Sequence, residues 1–300
     1  MSQTLSGRWR RLRIRVTHLT AGGSWAVQLS EATQRNLRHF FFDGMFISAS
    51  DSIMLTYLSL FILALGASSA DIGLMTALAS LSATLLLIPG AMLVDKIGNR
   101  KKIVLAAAKF PLSLGYLFMA ITPFILKGPS AVYAIIAIKV IVDGLRNFAL
   151  PAWVSMTGDV VPLAWRGRYF ATRNLVMGFA AMLMTYGIGQ LISALGEPVG
   201  YQWAIGLAFV FGLLSAGLFA QIRDYRDENH EIAPQSYKIK ALFNTLGADR
   251  NFLAFCGFTA LWTLSLNIAG PFFNVFLVDH DQAGQILAGV ADDHCIGDVG

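Results

Sequence analysis

The sequence predicts an all-α membrane protein, a six-helix transmembrane bundle followed by one further helix. Three observations lead there. Of 300 residues, 55% are hydrophobic and only 14% charged, against about 25% charged in an ordinary soluble domain. The apolar residues gather into seven runs, each longer than the roughly 18 residues that cross a bilayer core at about 1.5 Å per residue. The Lys and Arg residues, finally, concentrate in alternate connections between the runs. Buried helices of a soluble fold would not follow one another seven times through such short links.

The elements follow in order. Residues 1–38 form a basic arm containing "RWRRLRIRV". Such a segment suits a nucleic-acid or heparin patch, or a disordered arm resting on anionic cytoplasmic lipid, where each Arg contributes about 1 kcal/mol. The second is the expectation, so lipid and not nucleic acid is the expected partner. The bundle occupies 39–222, with runs Phe40–Leu65, Ile72–Val94, Ile103–Leu126, Val132–Trp153 (with a polar extension to about Val161), Leu175–Leu195 and Gln202–Ile222. Its first run is too long for a signal-peptide core and lacks a small-residue cleavage pattern, so it reads as a signal anchor. A polar loop, 223–250, contains "RDYRDENHE"; a seventh helix fills 251–278, with its apolar run at Phe252–Val278. A non-membrane tail, 279–300, closes the chain. Cys256 lies in the seventh run and Cys295 in the tail, which implies no disulfide framework.

Nineteen of the 23 cationic side chains fall before the first run, between Lys96 and Lys102, at Arg166, Arg168 and Arg173, and between Arg223 and Arg250. The positive-inside bias then places the amino terminus and these loops in the cytoplasm of a bacterial-type inner or plasma membrane.

A charge at the bilayer centre costs roughly 2.5–3.5 kcal/mol, so ionisable groups inside the spans mark candidate sites. Asp43 lies near the cytoplasmic end of the first run and Asp51 near its middle. Lys109 sits close enough to the cytoplasmic end of the third run to snorkel or to bind. In the fourth, "KVIVDGLRN" puts Asp143 four residues after Lys139, and Arg146 and Asn147 three and four residues after Asp143, one helical face on which Asp143 sits between two cations. The surplus positive charge of that face is open to neutralisation by Asp51 across a helix interface. The cluster suits an anionic group or a proton; it equally suits an ion-paired strut. Asn267 and Asn274 share a face of the seventh run with Pro271 between them, fit for a polar substrate or for plain interhelical hydrogen bonds.

Other chemistries find no support. The five His residues, 18, 39, 230, 280 and 294, lie outside or at the edge of the spans, leaving no partner for a nucleophilic Ser and no ligand cluster for a metal. "DDHC" in the tail offers ligand types without a second cluster, and a disordered tail is expected there. No Walker-type glycine loop is present, and no filter-like loop suggests a channel. An enzyme, a metal and a cofactor are therefore not expected.

Two loop segments carry a resemblance. "GAMLVDKIGNRKK", residues 90–102, has an apolar pair, an acid, a base, a glycine and a basic cluster at the spacing found between the second and third helices of the major facilitator superfamily. Ala91 takes the usual glycine place with Gly90 beside it; Leu93, Asp95, Lys96 and Gly98 match; Asn99 replaces a common Arg; Arg100, Lys101 and Lys102 supply the basic run. "GDVVPLAWRGRYFATRN", residues 158–174, resembles the loop between the fourth and fifth helices of that superfamily. The resemblance covers roughly 40–278. It implies twelve helices in two bundles around a central path lined by the first, fourth and seventh helices. It also implies a cytoplasmic latch in which Asp95 pairs with Arg100 and the network extends through Asp159, Arg166, Gly167 and Arg168.

The expected function is secondary active transport of a small solute by alternating access, by symport or antiport, with a proton as the candidate coupling ion and Asp51 as the proton or cation site. Lys139 and Arg146 would meet an anionic or polar group. Seven runs against twelve read as a truncated chain, a fragment, frameshift product or degraded gene. The alternative is therefore a non-transporting remnant or scaffold that needs a carboxyl-terminal bundle as partner.

Overall fold

The computed structural model describes residues 15–97, 99–224 and 250–266, the side chains of 95–97 excepted. Six long helices follow one another: α1 Glu31–Ala64, α2 Ser69–Ile97, α3 Arg100–Ile125, α4 Pro129–Val160, α5 Arg166–Leu195 and α6 Val199–Ala220. No strand occurs among the described residues. Residues 250–266 are helical and belong with 68–73 to a second compact unit.

α1, α2, α3, the stretch Leu163–Leu195 and α6 are each long and apolar enough to cross a membrane. α4 is as long, at 32 residues; Lys139, Asp143 and Arg146 in its middle set it apart. The helices outrun the apolar runs. α1 begins nine residues before Phe40, because Ser30 caps it by accepting from Thr33 N at 3.2 Å and Glu31 stands at the positive end of the dipole. Hydropathy marks only the part of a helix that lies in hydrocarbon.

Lipid gives helices no hydrophobic reason to associate, so close backbone approach and interhelical hydrogen bonds hold such bundles together. α1 shows this best. Its Ser48 Oγ donates to Met177 O of α5 (2.9 Å), Ser50 Oγ to Ala208 O of α6 (2.7 Å) and Tyr57 Oη to Thr185 O of α5 (2.5 Å). α2 and α4 meet where Ser82 Oγ donates to Val140 O at 2.9 Å and Gly90 lies directly on the backbone of Phe148.

Residues 8–14 of "RWRRLRIRV" lie outside the described residues; the part of the arm that follows is ordered against the bundle. Residues 15–21 are helical, Ser24–Gln28 form a 3-10 turn, and Ala21, Trp25 and Ala26 are buried with Leu37, Phe40 and Tyr169 in one core cluster. Trp25 stacks on Trp165 of the α4–α5 connection, centroids 5.2 Å apart and planes within 7°, while its Nε1 donates to Ala21 O at 3.0 Å. Gly22, at φ 70°, admits Thr172 where a side chain would clash. This part of the arm is therefore packed rather than disordered, because its apolar residues bury against the basic end of the bundle.

Candidate substrate and gating sites

The charges of α4 divide between two helices. Lys139 Nζ donates to both carboxylate oxygens of Asp143, at 2.8 and 2.7 Å, and Asn147 Nδ2 turns back to Asp143 O at 2.9 Å. Arg146 points the other way, its Nη1 and Nη2 forking onto Asp51 Oδ1 and Oδ2 of α1 at 3.0 and 2.7 Å. Asp143 thus hydrogen-bonds one of its two neighbouring cations, not both. Two cations and two carboxylates balance. The α1–α4 pair is also accessible, with the Arg146 side chain 45% and that of Asp51 32% exposed. Tyr116 of α3, which is buried, lies beside Asp51. Asn267 and Asn274 lie outside the described residues.

A second charged group was not foreseen. Lys109, expected to snorkel or bind, is 6% exposed. Its Nζ lies 2.5 Å from Asp43 Oδ1 and 2.8 Å from Ser215 Oγ of α6, and Ser215 Oγ donates to the same Asp43 oxygen at 2.6 Å. The Lys109 ammonium stands over the Phe219 ring, 5.2 Å from its centroid. Arg173 of α5, also buried, donates from Nε to Phe40 O at 3.2 Å and covers the Phe40 ring at 4.3 Å. The available signal was equal depth: Asp43 and Lys109 each lie a few residues inside the same end of their runs.

At the basic end, Arg100 is 2% exposed. Its Nη1 donates to Asp159 Oδ2 (2.6 Å) and Ser155 Oγ (2.9 Å), its Nη2 and Nε to Asp224 (2.5 and 3.3 Å). Asp224, just beyond α6, was not anticipated. Asp159, which the resemblance includes in the latch, meets Arg100, while the Arg168 guanidinium lies beside Gly23 of the arm. Arg166 caps α4, its Nε donating to Val161 O at 3.1 Å and its Nη2 to Gly158 O, as suits a cation at a helix carboxyl end. Asn99 is the N-cap of α3, accepting from Lys102 N at 3.1 Å. Lys101 occupies the first turn of α3, and Gly167 has open space around it. Gly98 and the side chains of Asp95 and Lys96 lie outside the description.

A bundle of long apolar helices with charges paired inside it defines an integral, multi-pass membrane protein. Its family follows from the sequence: the family model of the Major Facilitator Superfamily matches residues 40–291, and the chain belongs to that superfamily of membrane transporters, which carry small solutes. The match continues 13 residues past Val278, into the tail. No curated protein sequence matches the chain.

Proposed function

We propose that the chain is a secondary transporter of a small anionic or polar solute, worked by alternating access and coupled to a proton. The observation that supports this is the forked pair between Arg146 and Asp51, which joins the spanning helix α1 to the middle of α4 and is partly exposed. A forked guanidinium–carboxylate contact is matched in geometry by a solute carboxylate or phosphate. Protonating Asp51 removes its hold on Arg146 and frees the guanidinium for the solute; releasing the solute restores the pair and expels the proton. Lys139, held by Asp143 on the same helix, adds a second positive point. Asp95, Lys96, Gly98, Arg100, Lys101, Asp159, Arg166, Gly167 and Arg168 serve the gate at the basic end, which faces the cytoplasm in keeping with its cations.

The test is thermal melting of the purified full chain against a panel of carboxylates, phosphate esters and neutral sugars. An anionic solute should raise the melting temperature, and Arg146→Ala should abolish that rise. A rise given only by neutral solutes, or one that survives Arg146→Ala, would sink the assignment. Proton coupling is read separately, from solute uptake into proteoliposomes with and without an imposed pH gradient, which Asp51→Asn should make gradient-independent.

A further inference from the structure

One irregular element separates the buried Asp43–Lys109 pair from Arg100. Val104–Lys109 is a π-turn, six residues wound more widely than the α-helix on either side. π-Turns are rare and costly, and one persists where its surroundings fix it. This one is fixed at both ends. At its start Ile103 and Val104 are locked in the apolar core at the basic end, and Arg100 just before them is bound to Asp159 and Asp224. At its far end Lys109 is bound to Asp43 and Ser215.

The two anchors cannot both be kept by a regular helix. Winding the π-turn back to α-helix rotates Arg100 relative to Lys109 by about 100° and shifts it by about 1.5 Å. That rotation carries one of the two cations away from its carboxylates. The π-turn is therefore the conformation that satisfies both ion pairs at once, and either pair, once opened, removes the reason for it.

We propose that the π-turn Val104–Lys109 couples two charge locks, Asp43–Lys109–Ser215 inside the bundle and Arg100–Asp159–Asp224 at its basic end. Opening one lets the turn relax to α-helix and weakens the other. Both locks bias one two-state element, and coupling through such an element is reciprocal. The inference needs no particular solute and stands apart from the role given to Asp51.

The experiment uses the full chain in lipid nanodiscs with Cys256→Ser and Cys295→Ser, and a reporter thiol at Lys102→Cys or, as control, at Ser130→Cys. Asp43→Asn combined with Lys109→Met removes the inner lock without stranding a buried charge, and without leaving Asp43 to the nearby Arg173. It should change thiol labelling at 102 by about fivefold or more, the range of ordinary allosteric coupling. Labelling at 130 should stay the same. In the reverse direction, Arg100→Gln should change amide hydrogen exchange across 104–109, several residues from the substitution. Unchanged labelling at 102 in the folded double variant, or unchanged exchange at 104–109 in Arg100→Gln, overturns the coupling. If the double variant does not fold, Ser215→Ala, which keeps the charges paired and deletes a hydrogen bond, should change exchange at 104–109; no change there overturns it equally.

Discussion

Arg146 of α4 holds Asp51 of α1 through two parallel hydrogen bonds, 3.0 and 2.7 Å, across the helix interface, while Lys139 and Asp143 pair along one helix. The two pairs differ in consequence. An i,i+4 pair stabilises its own helix by a few tenths of a kcal/mol, about 0.3–0.5, whereas the forked pair fixes where α1 stands against α4. Its side chains are partly exposed, so its loss falls between the roughly 0.2–1 kcal/mol of surface pairs and the roughly 3–5 kcal/mol of breaking a buried one.

A double-mutant cycle on thermal unfolding should therefore give a coupling of about 1–3 kcal/mol between Asp51→Asn and Arg146→Gln. The double variant should be more stable than the sum of the single losses implies. The same cycle on Lys139 and Asp143 should give under about 0.5 kcal/mol. Equal couplings for the two pairs would show that the cross-helix fork does not position α1.

Arg100 serves two carboxylates in different surroundings. The Asp159 side chain is 53% exposed and that of Asp224 18%. Water screens the first far more than the second. Asp224→Asn should then cost about 1–3 kcal/mol and Asp159→Asn about 1 kcal/mol or less, compared by melting the two purified variants side by side. The reverse order would mean that the helix end carrying Asp159, rather than the exit of α6, depends on Arg100.

The packed arm can be tested at Trp25. The side chain is 6% exposed, stacked on Trp165 and hydrogen-bonded through Nε1. Truncating such a residue typically costs about 3–5 kcal/mol, of which the aromatic pair accounts for about 0.5–1.5. Trp25→Ala should lower the melting temperature strongly, and Trp25→Phe only by the smaller part. A Trp25→Ala variant that melts with the parent would place the arm off the bundle.

Much of the helical framework was legible because hydrocarbon imposes its length on the sequence: each of the first six apolar runs lies almost wholly within one helix. The polar ends were not, since Ser30 and Asn99 start helices by capping, which hydropathy does not register. Spacing on α4 could put Lys139, Asp143 and Arg146 on one face. It also left Asp51 open to neutralise the surplus charge across the interface, but could not say which of the two cations Asp51 would take, because that depends on where α1 stands. Lys109 is the sharpest case. Its depth left snorkelling and binding both open, and the π-turn and the opposite charge of Asp43 bring it inward. The arm's cations drew attention to lipid, while Ala21, Trp25 and Ala26, which decide its position, carry no periodic signal in so short a stretch.

The loop segment "GAMLVDKIGNRKK" supplies the remaining prediction. The resemblance puts its small residue at Ala91, but the structure puts the close approach at Gly90. A Cβ on Gly90 would overlap the carbonyl of Phe148, which is backbone and cannot move as a side chain does. Ala91 is exposed. Gly90→Ala should therefore force α2 and α4 apart, straining the Ser82 bond to Val140 O as well, at about 1–3 kcal/mol, the usual cost of overpacking. Ala91→Val, one residue away and larger, should change stability by no more than about 0.5 kcal/mol. Thermal unfolding of the two variants under identical lipid and detergent conditions decides between them. A neutral Gly90→Ala beside a damaging Ala91→Val would return the small-residue requirement to Ala91 and imply that α2 is rotated by one residue from the position described.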